Sequence, residues 1–219
     1  MGDIEIFGTD QVEHDIRLRA TMENLTASGI TLNREKCEFS NSRIEFVGQI
    51  VGRNGITASP NKISAIFTML PPKDSHELRR FMGTVNQLGK FLPNLSDLKE
   101  PLRGLFSSKN AWYWGEAQTN GFNHVKDMLT RSPILAFTDA KLTTEVTADS
   151  SSYGIGAVIM QHYPERWKPV AYASCTLSSA ETRYAQIEKE ALPRTWACET
   201  FDDYLLGLGF TLETDHKPL

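Results

Sequence analysis

At 219 residues, with 40% hydrophobic and 23% charged side chains, the chain has the composition of a folded globular protein, which excludes whole-chain disorder and allows one large domain or two small ones. Three scattered cysteines (Cys37, Cys175, Cys198) without CxxC spacing exclude a disulfide framework and a zinc site, and point to a reducing, intracellular setting. No apolar run approaches the ~18 residues of a membrane span, and the net charge of −4 hides a basic middle, eight basic against four acidic residues from Arg53 to Ser108, between acidic flanks.

In chain order, residues 4–7 predict a short strand with Asp3 at its start. Residues 11–28 carry Val12, Ile16 and Ala20 on one helical face, with Gly29 just past the end. Short strands are expected at 30–32 and 37–39. Apolar residues 44–51 and Ile56 flank Arg53-Asn54-Gly55, and Asn-Gly between apolar runs is a strong hairpin signal. Ser59-Pro60 opens a helix that Pro71-Pro72 stops. Asp74 and Glu77 form a capping box ahead of Leu78, Phe81, Met82, Val85, Leu88 and Leu92, which recur at helical spacing. Pro93, Pro101 and Gly104 leave only short helical pieces, and an aromatic-rich stretch at 111–115 leads into a helix over 116–129. From Leu142 the texture changes to strand, turn, strand, strand. Ser178 and Glu181 are spaced to cap a long helix reaching Leu206, and a last strand covers 210–214.

The acids of this last block sit where chemistry could use them. Asp149 ends an alternating run and is followed by small residues and two glycines; Glu190 lies on the long helix and Asp215 follows the last strand. Carboxylates from separate elements are what two-metal phosphodiester hydrolysis needs, one ion activating water and the other stabilising the leaving oxygen. Glu188 and Glu190 are rivals, because two helical positions lie about 200° apart.

The residues around these acids carry a family likeness. Thr147-Ala-Asp-Ser-Ser-Ser-Tyr-Gly-Ile-Gly-Ala157, Arg183-Tyr-Ala-Gln-Ile-Glu-Lys-Glu190 and Thr214-Asp-His-Lys-Pro-Leu219 resemble the ribonuclease H region of gypsy-type LTR retrotransposon Pol polyproteins. Asp3-Ile-Glu-Ile-Phe-Gly8 resembles the polymerase palm motif that holds paired aspartates. Leu32-Asn-Arg-Glu-Lys-Cys-Glu-Phe39, Phe46-Val-Gly48, Glu77-Leu-Arg-Arg-Phe-Met-Gly83 and Gly89-Lys-Phe-Leu-Pro-Asn94 follow in family order. The resemblance implies an α+β chain: a fragment of reverse transcriptase palm and thumb followed by a truncated ribonuclease H-like α/β domain. Residues 1–52 would be the end of the palm with the primer-grip hairpin (Phe46, Val47, Gly48), 53–108 the thumb, 109–140 the connection and 141–219 the start of the ribonuclease H domain. It places Arg79, Gly83, Asn86 and Gln87 against a template–primer duplex or RNA–DNA hybrid. It also makes Asp149, Glu190 and Asp215 the Mg2+-binding catalytic acids, with Asp3 a remnant of the polymerase set and the rest of a Pol polyprotein as partner. The family pattern picks Glu190 over Glu188, which is left on a solvated face, and it does not require His216 as a base.

The sequence also departs from the family. Most of the palm is missing, Gly2-Asp3 stands where an acid pair is expected, and Glu5 replaces an apolar strand residue. Pro193 falls inside the helix carrying Glu190, where it should cost about 3 kcal/mol and kink the helix. The chain stops four residues past Asp215, before a further family carboxylate. These departures imply an isolated chain inert in catalysis; the alternative is a non-catalytic nucleic-acid-binding remnant or a relic of a transposable element.

Overall fold

Asp10 starts the first helix: its carboxylate accepts the Glu13 N–H at 2.8 Å, and α1 (Gln11–Ala27) follows. The structure, a computed structural model, describes residues 4–106 and 110–213, and the chain divides into two units, Met1–Arg53 and Asn54–Leu219. Asp3, Asp215 and His216 therefore lie outside the described residues.

In the first unit the strands expected at 4–7, 30–32 and 37–39 do not form; a 3-10 turn, Arg34–Lys36, separates the last two. Their composition suits strands, but an extended segment becomes one only beside a partner. The run 44–51 is also not a single strand. It folds back on itself as β1 (Arg43–Phe46) and β2 (Gln49–Gly52), antiparallel with Phe46 opposite Gln49. Helix α1 has the expected spacing, yet Val12 and Ile16 are 69% and 65% exposed, and no described residue of this unit is buried. A helix without a buried face lacks the packing that supplies most helical stability. Limited proteolysis is therefore expected to trim the isolated chain back towards Arg53 first, leaving a resistant product that starts near Asn54; mass spectrometry of the early products checks it.

The second unit begins at the Asn54-Gly55 turn with β3 (Gly55–Ala58). Helix α2 (Pro60–Phe67) opens on its proline. Helix α3 (Ser75–Asn86) is capped by Asp74, which accepts the His76 and Glu77 N–H groups, while Glu77 reaches back to the Lys73 N–H at 2.9 Å. Short helices α4 (Leu95–Leu98) and α5 (Glu100–Arg103) precede α6 (Glu116–Thr130). Leu78, Phe81, Met82 and Val85 of α3 share one core with Phe122, Val125 and Leu129 of α6, and the Phe81 and Phe122 rings meet at 4.6 Å. Full burial of such side chains is worth roughly 1.5–3 kcal/mol each.

A four-stranded sheet follows, in the order β6-β5-β4-β7. Strands β4 (Thr144–Ser150), β5 (Gly154–His162) and β6 (Trp167–Thr176) run antiparallel, and β7 (Phe210–Glu213) lies parallel to β4. Asp149 thus belongs to β4 rather than following it. Ser178 and Glu181 do bond reciprocally, but they cap a 3-10 turn, Glu181–Arg183; the helix carrying Glu190, α7 (Gln186–Thr200), starts later, and α8 (Asp202–Leu205) is separate. Helix α7 continues through Pro193. Val146, Ala157, Ile159 and Ala171 form the sheet face that packs on Ala197, Phe201 and Leu205. Residues 134–136 stitch the two halves of the unit: Ile56 and Leu135 exchange N–H···O bonds of 2.8 and 2.9 Å, and the Ala136 N–H donates to the Pro169 carbonyl at 2.7 Å. The architecture is α+β.

Candidate nucleic-acid interface and acid-bearing sheet

Helix α3 buries one stripe and leaves the other to solvent. Arg79, Gly83, Asn86 and Gln87 share the exposed side, at the helical spacing expected of one face. Neighbouring cations sit on it: the Lys99 amine donates to Asn86 Oδ1 at 2.6 Å and the Lys62 amine to Gln87 Oε1 at 3.0 Å, while Arg79 donates to the Phe106 carbonyl at 2.6 Å. Burial of its stem pushes the Lys99 amine below its ordinary pKa. Among the described residues nothing requires glycine at position 83, because a Cβ there would meet none of their atoms outside its own helix within 4 Å. The helix nevertheless gives up roughly 1 kcal/mol relative to alanine at that point.

Phe46, Val47 and Gly48 lie in the first unit, at the tip of the β1–β2 hairpin. Val47 and Gly48 both have positive φ, 50° and 75°, which is the turn that suits two twisted strands. A β-branched residue is strained there by about 1–3 kcal/mol, and the Val47 side chain is 71% exposed, so packing does not explain it.

In the sheet, Asp149 stands exposed on β4, its Oδ1 accepting the Ser150 N–H at 2.7 Å. Glu190 lies half-buried in the first turns of α7. The two acids are on elements held together next to them, since the Ser150 hydroxyl donates to the Lys189 carbonyl at 3.2 Å. Glu188 is not merely solvated: it accepts the Ala185 N–H at 2.9 Å and closes the start of α7. Further along the Asp149 face, Glu145 is driven above the ordinary carboxylate pKa by burial, then by the charge of Glu213 on β7 and a hydrogen bond to it; Glu213 also accepts the Thr147 hydroxyl at 2.9 Å. A carboxyl with a raised folded-state pKa binds its proton better folded than unfolded. Its contribution to stability is therefore lost as pH rises through the folded value. Among the described residues no three His, Cys, Asp or Glu side chains converge on one point. Asp149 and Glu190 alone do not make up a two-metal set, and with Asp215 outside the described residues no metal is placed.

The sequence reading missed the residues that dock on this turn. An ideal Cβ on Gly156, the register partner of Asp149, would lie 2.4 Å from Asn94 Oδ1; one on Gly154 would lie 2.5 Å from Ser96 Cβ. Asp97 accepts the Ser151 hydroxyl at 2.6 Å, and Ser151 Oγ in turn accepts the Tyr153 and Gly154 N–H groups. Arg103 donates to the Leu177 carbonyl at 2.9 Å. The signal was present: glycines two apart on a strand bare the same face, where another backbone can approach.

Residues 114–212 match the family described as the RNase H-like domain found in reverse transcriptase. Over 99% of its length the chain is 37% identical to the retrovirus-related Pol polyprotein from transposon opus of Drosophila melanogaster, covering 23% of that protein. Over its full length it is 33% identical to the Pol polyprotein from transposon 297 of the same species, covering 20% of it, and 31% identical to the transposon Tf2-3 polyprotein of Schizosaccharomyces pombe, covering 17%. The chain thus spans about a fifth of the length of these relatives. In fold it is similar to the foamy viral protease-reverse transcriptase in complex with RNA/DNA hybrid, with a TM-score of 0.80 at 20% identity over 97% of this chain and 29% of that one.

Proposed function

We propose a function from the premise that this chain belongs, as a segment, to the Pol polyproteins of retrotransposons and carries over residues 114–212 the RNase H-like domain found in reverse transcriptase. The segment grips a template–primer duplex or RNA–DNA hybrid along the exposed face of α3 and carries beside that grip a sheet of nuclease type. Gly83 carries this reading: it is an exposed helical glycine that no described residue requires, flanked by Arg79, Asn86, Gln87 and two lysine amines. A missing Cβ lets a nucleic-acid backbone come close, and cations around it replace counterions on phosphate. The hairpin tip at Val47 and Gly48 supports the same assignment for the primer end, since strain without an internal cause is common where a ligand is held. Two-metal cleavage needs three or four convergent carboxylates. Asp149, Glu190 and Asp215 are the three acids that this reading assigns to it, and hybrid binding is the activity it assigns to the isolated chain.

Gly83→Ala tests the grip because its two effects run in opposite directions. The variant is expected to unfold at a stability about 1 kcal/mol higher yet to bind a labelled RNA–DNA hybrid roughly tenfold more weakly by fluorescence anisotropy, the loss of about 1.4 kcal/mol of contact. Binding of the unaltered chain should fall steeply with added salt. Equal hybrid affinity of the variant and the unaltered chain would sink the reading. The same samples incubated with Mg2+ report on the nuclease: cleavage that disappears in Asp149→Asn would show a complete catalytic set, and intact hybrid supports binding alone.

A further inference from the structure

Pro193 stands inside α7 with no N–H to donate, so the Lys189 carbonyl one turn earlier lacks its regular i+4 donor. That carbonyl is not left bare. The Ser150 hydroxyl donates to it at 3.2 Å, in partly buried surroundings where a lone carbonyl would be unfavourable. The chain positions make the bond consequential: Ser150 is the neighbour of Asp149 on β4, and Lys189 is the neighbour of Glu190 on α7. Strand alternation puts Ser150 on the side of Val146 and Ala148, the face that packs on α7. In a helix with any other residue at 193, its N–H would already serve the Lys189 carbonyl, and losing the strand hydroxyl would no longer leave that carbonyl without a donor.

We propose that Ser150, the Lys189 carbonyl and Pro193 form a latch between strand and helix, in which the hydrogen bond that proline removes is the one that frees an acceptor for the strand. Pro193 is then a working part of the strand–helix contact rather than damage to it. Ser150 is a positioning residue that holds the turn carrying Glu190 against the strand end carrying Asp149. The latch itself stands apart from any activity; only its bearing on chemistry rests on the nuclease-type reading of the two acids.

A double-mutant cycle, read by thermal denaturation with no nucleic acid present, decides it. Ser150→Ala is expected to lower the melting midpoint by about 4 °C, as one partly buried carbonyl loses its donor. In the Pro193→Ala background the same change should cost less than about 1 °C, because the residue 193 N–H now serves that carbonyl. Ser150→Thr, which keeps the hydroxyl, should restore the midpoint in the Pro193 chain. Should Pro193→Ala not fold, amide hydrogen exchange replaces the cycle: residues 190–194 should exchange roughly tenfold faster in Ser150→Ala, a local opening of about 1.4 kcal/mol, and at the unaltered rate in Ser150→Thr. Equal losses in both backgrounds, or a threonine variant as impaired as the alanine, would overturn the latch. Because hybrid affinity enters none of these measurements, failure of the latch and failure of the duplex grip are separate results.

Discussion

Gly55→Ala is expected to destabilise the chain by about 4 kcal/mol, a large share of the 5–15 kcal/mol that holds a typical domain folded. Gly55 has φ of +127°, a region L side chains avoid, and an ideal Cβ would lie 2.1 Å from the Leu135 carbonyl oxygen. A flexible side chain could move aside, but a backbone oxygen cannot move without breaking the paired Ile56–Leu135 bonds. Strain of about 1–3 kcal/mol therefore adds to the loss of two hydrogen bonds worth about 1 kcal/mol each. A fall of roughly 10 °C in the melting midpoint checks it. A change under ~2 °C would mean that residues 134–136 do not hold β3 in solution.

The second large effect is at the Asn94–Ser96 joint. Gly154→Ala would place its Cβ 2.5 Å from Ser96 Cβ and 2.6 Å from the Cys175 carbonyl oxygen. Overpacking against backbone should cost about 3 kcal/mol. Gly156→Ala makes a different kind of contact, 2.4 Å from Asn94 Oδ1, the end of a side chain that can swing away. It should cost about 1 kcal/mol. Asn94→Gly should cancel that loss, because Asn94 has φ of 49° and glycine accepts the left-handed region freely. Urea denaturation of Gly154→Ala, Gly156→Ala and the Asn94→Gly/Gly156→Ala pair gives all three values. Equal costs at the two glycines would show that the joint is loose rather than packed.

What the sequence disclosed follows from the range of each interaction. The caps at Asp74 and Glu77 and the proline start of α2 involve partners within four residues, and those helices start where their residues ask for it, though α2 ends at Phe67, before Pro71, and α3 at Asn86, short of Leu92. The stretches at 4–7, 30–32 and 37–39 have strand composition, but a strand is defined by a neighbour that local composition does not name. Val47 concealed a turn because valine is a poor turn residue. Ser178 and Glu181 formed the box their spacing implies, yet the helix after it waits until Gln186. The acids on β4 and α7 were legible through family motifs. The docking of Asn94 on Gly156 and the donor that Ser150 gives Lys189 join residues dozens of positions apart, and no local pattern announces them. Pro193, costed as a defect by helix propensity alone, needed that distant donor before its effect could be judged.

The stitch at residues 134–136 also has a consequence for synthesis. Ile56 emerges from the ribosome roughly eighty residues before its partner Leu135, and Ala136 then waits roughly thirty more for Pro169. At about 5–20 residues per second, β3 spends some 4–16 s without that partner. Strand β4 waits a comparable time for β7, which lies parallel to it and follows α7 and α8. During those seconds a nascent chain exposes strand edges that can pair with a neighbouring copy on the same message. Well-spaced ribosomes and brisk elongation should therefore raise the yield of correctly paired chains.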